Sequence, residues 1–151
     1  MKHVLLIGAG RSVSALVDYL SKLEISVTII DKDKAYCDKR VGQLPNATAK
    51  YFDVFDTQKT YPEIKKANLV ISMLPAHLHY SIIKLCLDLK TDVLTASYVS
   101  TEVKSLSNEA HLKGVKIIME CGLDPGIDHM SAMKEIDRIK ELGGKVTSFR
   151  S

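Results

Sequence analysis

Gly8-Ala9-Gly10 directly follows the apolar run Val4-Leu5-Leu6-Ile7 and opens a stretch with helical spacing. Glycines at this junction permit one specific chemistry. The first allows a tight turn, and the second lets the backbone approach a pyrophosphate at a helix N-terminus. Arg11 and Ser12 complete the loop, and Ser12 can cap the helix or donate to a phosphate oxygen. The third small residue of a dinucleotide fingerprint would fall at position 13, where the chain carries Val13. Its bulk should hold helix and strand farther apart. Asp31 stands 21 residues beyond Gly10, at the end of a second apolar run. A carboxylate there can accept from both hydroxyls of the adenosine ribose and repels a 2′-phosphate, so NAD is the expected cofactor. Lys32 and Lys34 lie beside it and keep NADP open. Asp31 read alone is a solvated acid opening a loop, and S-adenosylmethionine enzymes share the glycine-then-acid geometry.

Further along, Asp53 closes an aromatic-rich run and could meet the exocyclic amine of adenine, with Val54 against the ring face. The plainer role for Asp53 is to cap the short segment after it. Leu74 and Pro75 end another apolar run, where they would line the ribose and nicotinamide side of a crevice. His77 and His79 sit two apart at a helix start and face different ways, with no third ligand in view, so no metal is expected. Packing or capping is the favoured role for His79, while His3 and His111 read as exposed. Cys37, Cys86 and Cys121 are odd in number and widely spaced, which suits reduced thiols and excludes a disulfide framework.

Such residues need a scaffold, and the periodicity supplies one. Strands are predicted over residues 4–7, 26–30, 49–52, 69–74, 93–96 and 115–119. Helical patterns cover 12–23, 32–40, 79–89, 102–113 and 128–142, the last with Met130, Met133, Ile136 and Ile139 on one face. That face could lie on the sheet. Continuous apolar strands alternating with helices imply an α/β, doubly wound (Rossmann) parallel sheet with helices on both faces. Residues 145–149 alternate as one more strand.

Composition limits the rest. At 151 residues, 46% hydrophobic and 26% charged, the chain is long enough for one core of ordinary size. A net charge of +3 without Trp gives no basic patch for nucleic acid. No apolar run approaches the roughly 18–20 residues of a membrane helix, and the run at the start breaks at Gly8, unlike a signal peptide. A cytoplasmic protein is expected.

Three segments are more specific than the glycine loop: SMLPAHLHYSII at 72–83, TASYVS at 95–100 and ECGLDPGIDH at 120–129. Together with the GGKVTSF run at 143–149, they closely resemble the saccharopine dehydrogenase family, in its glutamate-forming branch. The resemblance implies an NAD(P)-dependent oxidoreductase of lysine metabolism. It would move a hydride to or from the C–N bond joining glutamate and 2-aminoadipate 6-semialdehyde, so its partner is an amino-acid substrate. It also implies that substrate and cofactor meet Ser97 and Tyr98, and that the cofactor runs past Leu123, Asp124, Pro125 and Gly126. Asp124 could balance an iminium charge or relay a proton, and Tyr98 could donate to a substrate carboxylate. Asp124 also reads as a turn residue, and Asp128 as a helix cap.

The resemblance also implies a substrate domain that clamps the amino-acid carboxylates with arginines, and that domain is expected to be missing here. Residues 1–144 are therefore expected to form the dinucleotide domain, and 145–151 the first strand of a missing second one. Cofactor binding without turnover is expected of the chain alone, and an unpaired final strand could drive homodimerisation. The rival reading is a nucleotide-sensing module of a channel or transporter, which explains Gly8, Gly10 and Asp31 but not the 123–129 motif.

Overall fold

The computed structural model describes residues 1–42 and 44–150. Six strands form one parallel sheet: β1 (His3–Ile7), β2 (Ser26–Asp31), β3 (Ala47–Tyr51), β4 (Leu69–Ser72), β5 (Asp92–Thr95) and β6 (Ile117–Ile118). Their spatial order is β3-β2-β1-β4-β5-β6, the doubly wound arrangement expected from the sequence. Strand order reverses between β1 and β4, which pair through Val4–Leu69 to Ile7–Ser72.

Alternation along β1 shows why both faces of the sheet are covered. Val4 and Leu6 face a core shared with Val13, Val17, Leu20 and Cys37, from α1 (Val13–Lys22) and α2 (Lys34–Val41). Leu5 and Ile7 face the opposite core, with Ile64 of α3 (Thr57–Lys66) and Ile82, Ile83 and Leu87 of α4 (His79–Asp88). Burial of each such side chain contributes about 1.5–3 kcal/mol. The thiols of Cys37 and Cys86 are buried in these two layers, and burial pushes them up to about 11 and about 12. All three cysteines are free.

Several boundaries and one whole helix differ from expectation. α3 was absent from the predicted elements because its run TQKTYPEIKK is polar and holds Pro62. Tertiary contacts override that weak local signal: Thr60 donates to the Val54 carbonyl at 2.6 Å, and buried Glu63 pairs with Lys50 at 2.7 Å and Lys66 at 3.2 Å. The single helix expected over 102–113 is two, α5 (Thr101–Ser105) and α6 (Ser107–Lys113), broken at Leu106. Ser105 and Ser107 each donate to the carbonyl three residues back, at 2.6 and 2.7 Å, competing with the helical ladder. His3 is half-buried rather than exposed, its ring reaching the Thr28 hydroxyl at 3.0 Å.

The C-terminal part departs most. The last helix, α7 (Ile127–Glu141), buries none of its described residues, and Met130 and Met133 are exposed. The Met/Ile face therefore does not lie on the sheet: the sheet's two faces are already covered by the other helices. Residues 145–150 form no strand and pair with neither edge of the sheet; Ser151 lies outside the described residues. Val146, Ser148 and Phe149 instead border a shallow cleft with Ile136 and Ile139 of α7. No helix among the described residues is long and apolar enough to cross a membrane.

Candidate functional site

β1 delivers the glycine loop to the point where strand order reverses. Gly8 donates to the Ile30 carbonyl at 2.8 Å, and Met73 donates to the Ile7 carbonyl at 2.8 Å, so the loops after β1, β2 and β4 are tied together. Gly8 holds φ +98°, and a Cβ there would lie 3.1 Å from the Met73 carbonyl carbon and oxygen. No other residue type combines that conformation with that approach. At Gly10 the space is open, with nothing within 4 Å of a built Cβ. Arg11 and Ser12 are exposed at the head of α1. Ser12 occupies the N-cap position but makes no side-chain cap, since its own backbone is already helical (φ −77°, ψ −6°). Val13 is fully buried beneath the loop. Its side chain belongs to the core, so any part it takes at a ligand falls to its backbone.

Asp31 ends β2 and braces the loop. One carboxylate oxygen accepts from the Ala9 N–H at 2.7 Å and the other from the Asp33 N–H at 2.9 Å. Asp33 in turn caps α2, accepting from Tyr36 N–H at 3.2 Å. Lys34 is paired with Asp38 and lies 4.8 Å from the centroid of the Tyr51 ring, so its charge is already engaged.

Beside Asp31 opens a cleft of about 290 Å³, lined by Ile7, Ile30, Lys32, Phe52, Asp53, Val54, Phe55, Leu74, Pro75 and Leu78. Asp31, Lys32, Asp53, Val54, Leu74 and Pro75 were all expected at a cofactor, and one cleft gathers them. Asp53 accepts from the Phe55 N–H at 2.9 Å, which places Phe55 at the rim, while the cap position of α3 falls to Asp56. Phe52 and Phe55 were not singled out from sequence, although aromatic residues flanking a strand-end acid are the signal that could have found them.

A second group forms beyond the ends of β5 and β6. Glu120 donates its N–H to the Ser97 carbonyl at 3.1 Å and accepts from the Val99 N–H at 3.1 Å, so the 97–100 segment and the 120–126 loop are stitched together. The loop closes on itself: Gly122 donates to the Pro125 carbonyl at 2.9 Å, and Ile127 donates to the Gly122 carbonyl at 3.0 Å. Within it Leu123 and Asp124 are exposed, whereas Pro125 and Gly126 are buried. The Tyr98 hydroxyl donates to Asp124 at 2.6 Å. The hydrogen bond to that carboxylate pushes the phenol up to about 12, so Tyr98 keeps its proton at neutral pH. His129 stands edge-on to Tyr98, 6.1 Å between ring centroids, and bonds Asp128 at 2.8 Å. Asp128 also accepts from the Gly126 N–H at 2.9 Å, securing the first turn of α7.

His79 connects the two groups from below. It is 2% exposed, and its ring reaches Ser72 at 3.0 Å, Thr95 at 2.9 Å and Ser97 at 2.8 Å. Burial, with His77 nearby, pulls its pKa below the ordinary value, so it is held neutral. His79 therefore packs, as expected, and it also orients Ser97, a role the sequence did not reveal. His77 is exposed and takes no part.

An α/β sheet of this order, with a glycine turn, a braced strand-end acid and an apolar cleft at the switch point, defines a dinucleotide-binding domain of the Rossmann class. The chain belongs to the saccharopine dehydrogenase family: the family described as "Saccharopine dehydrogenase NADP binding domain" matches residues 4–118. It is 35% identical over 150 residues to the saccharopine dehydrogenase [NADP(+), L-glutamate-forming] of Pyricularia oryzae, covering 99% of this chain and 33% of that protein. It is 32% identical to an alpha-aminoadipic semialdehyde synthase of Arabidopsis thaliana, covering 98% of this chain and 16% of that one. Apo saccharopine dehydrogenase (L-Glu forming) from Saccharomyces cerevisiae superposes with a TM-score of 0.88 at 34% identity, over 98% of this chain and 33% of the other. The chain thus spans about a third of the glutamate-forming relatives. A shikimate dehydrogenase of Mycobacterium tuberculosis, at 18% identity and a TM-score of 0.62, shares the fold.

Proposed function

We propose that this chain is the nicotinamide-dinucleotide-binding part of a saccharopine dehydrogenase-like oxidoreductase acting on the C–N bond between glutamate and 2-aminoadipate 6-semialdehyde. The observation that carries the reading is the Tyr98–Asp124 hydrogen bond, which joins the two motif segments beyond the ends of β5 and β6. The residues present fit the cofactor. Open space above Gly10 leaves room for phosphate groups, Asp31 stands at the ribose position, and the cleft from Phe52 to Phe55 with Leu74 and Pro75 suits an adenosine. Ser97 and Leu123 to Gly126 would border the nicotinamide half.

When bound, the dinucleotide supplies or takes up the hydride. The chain's own residues then manage the charge. Reduction of an imine carbon must be matched by a proton at nitrogen. Tyr98 holds such a proton on its Oη, and the Asp124 carboxylate beside it favours a cationic nitrogen over a neutral one. His79 fixes Ser97 at the edge of the same space through a 2.8 Å bond. The family description and the glutamate-forming relatives name NADP. A second reading, NAD, is favoured by one observation, the Asp31 carboxylate at the end of β2, which opposes a 2′-phosphate.

A chimera tests the proposal. This chain would replace the corresponding third of the Saccharomyces cerevisiae enzyme, and saccharopine-dependent reduction of NADP+ and NAD+ would be followed by absorbance. Turnover is the expected result, reduced about 10- to 1,000-fold by Tyr98→Phe. A folded chimera that binds dinucleotide without turning over saccharopine contradicts the substrate reading.

A further inference from the structure

One side chain at the glycine loop is used by none of the roles above. Arg40, in the last turn of α2, reaches across to the loop and donates its Nε–H to the Ala9 carbonyl at 3.2 Å and the Gly10 carbonyl at 3.1 Å. Ala9 is the residue whose N–H is held by Asp31, so the acid and the arginine grip one residue of the phosphate loop. The two bonds use only Nε. Among the described residues, the terminal guanidinium nitrogens of Arg40 have no hydrogen-bond partner, and the side chain is only half-buried.

The surrounding charges sharpen the case. Each acid nearby is already engaged: Asp31 by two backbone N–H groups, Asp33 by the Tyr36 N–H, and Asp38 by Lys34 and Tyr51. The cations are not matched in the same way. Lys32 lines the cleft, and Arg11 is exposed at the loop with no ion pair among the described residues. Of these, Arg40 alone is held in place by two bonds to the loop backbone, so it would lose little freedom on meeting an anion. A guanidinium anchored through Nε presents its two outer nitrogens as a fork, the geometry that takes a phosphate group through paired bonds.

We propose that Arg40 is the specificity-determining residue at the adenosine 2′ position, taking the 2′-phosphate of NADP, so that the site accepts NADP with Asp31 in place. The inference rests on the dinucleotide reading above. It removes the conflict between an acid that opposes a 2′-phosphate and a family named for NADP. Asp31, with each carboxylate oxygen taken by a backbone N–H, serves as the brace of the loop, and Arg40 supplies the counter-charge.

Titration of the chain with NADPH and with NADH, followed by calorimetry, tests the assignment on the wild type, Arg40→Gln and Arg40→Leu. Gln keeps a donor for the loop carbonyls without the charge, so a variant that folds and retains the loop is in hand if Leu perturbs it. The expected result is a dissociation constant for NADPH raised about tenfold or more in both variants, with NADH changed by less than about twofold. Arg40→Lys should restore part of the NADPH affinity. Equal weakening of both nucleotides would make Arg40 a loop brace only and overturn the inference, as would unchanged NADPH binding. A wild type that binds NADH but not NADPH overturns it too while leaving the dinucleotide reading intact. Binding of neither nucleotide by the wild type defeats that reading itself, and the inference with it.

Discussion

Replacing His79 by alanine should lower the melting temperature by roughly 10 °C. The ring is nearly inaccessible and satisfies the Ser72 and Thr95 hydroxyls, each 1% exposed, together with Ser97. Truncation leaves buried hydroxyls without partners, at about 1–3 kcal/mol each, and adds a cavity. A total of roughly 3–5 kcal/mol follows, and in a domain of this size each kcal/mol moves the midpoint by about 2–4 °C. The effect carries a pH signature with a definite sign. Burial lowers the pKa of folded His79 below the ordinary 6.5, so the unfolded chain takes up a proton first as pH falls. The stabilisation from neutral His79 is complete above about pH 6.5 and is lost progressively below it. Thermal melts between pH 8 and pH 5 should therefore show a decline in the wild type that is shallower in His79→Ala. Parallel profiles would mean that the fold does not lower the His79 pKa, contrary to its burial.

Gly126→Ala should dismantle the loop that carries Asp124. Gly126 has φ +148°, and a Cβ there would sit 2.2 Å from the Gly122 carbonyl oxygen and 2.8 Å from its nitrogen, both backbone atoms. The Gly-only conformation alone costs another residue about 1–3 kcal/mol, and the overlap forces Gly122 and Gly126 apart. The Tyr98–Asp124 bond is lost with the loop. Because that bond holds the Tyr98 phenol at about 12, its titration should return toward the ordinary tyrosine value of 10. Carbon-detected NMR titration of labelled tyrosine checks this directly. The sheet should survive, since α7 and the loop lie outside both apolar layers. A Tyr98 that still titrates near 12 in Gly126→Ala would show that the loop does not depend on this glycine.

The sheet was legible because its signals are local and redundant. Leu5, Ile7 and Ile30 on one face and Leu6, Val27 and Ile29 on the other write both layers into short β-branched and aliphatic runs. The cleft was legible for the same reason: Asp31 ends β2, Asp53 and Pro75 lie just beyond the ends of β3 and β4, and strand ends of such sheets converge. What the sequence hid depends on partners far away in the chain. α3 exists because Thr60 and Glu63 find Val54 and Lys50, and nothing in a polar run with Pro62 announces that. Arg40 meets Ala9 and Gly10 across 31 and 30 residues, which no spacing rule anticipates. The same logic explains the error at the last helix: the Met/Ile periodicity of α7 describes a face that the sheet has no room to receive.

The central claim is that the junction of β1, β2 and β4 holds a nicotinamide dinucleotide, and differential scanning calorimetry with saturating NADPH or NADH tests it most directly. At about 100 times the dissociation constant, one bound ligand contributes about 2.7 kcal/mol, a rise of roughly 5–10 °C. Such a rise is expected for the wild type with at least one of the two nucleotides, and so is its absence in Asp31→Ala, which removes the acceptor for the Ala9 and Asp33 N–H groups. A wild-type melting temperature unmoved by either nucleotide, or an equal rise in Asp31→Ala, would contradict it.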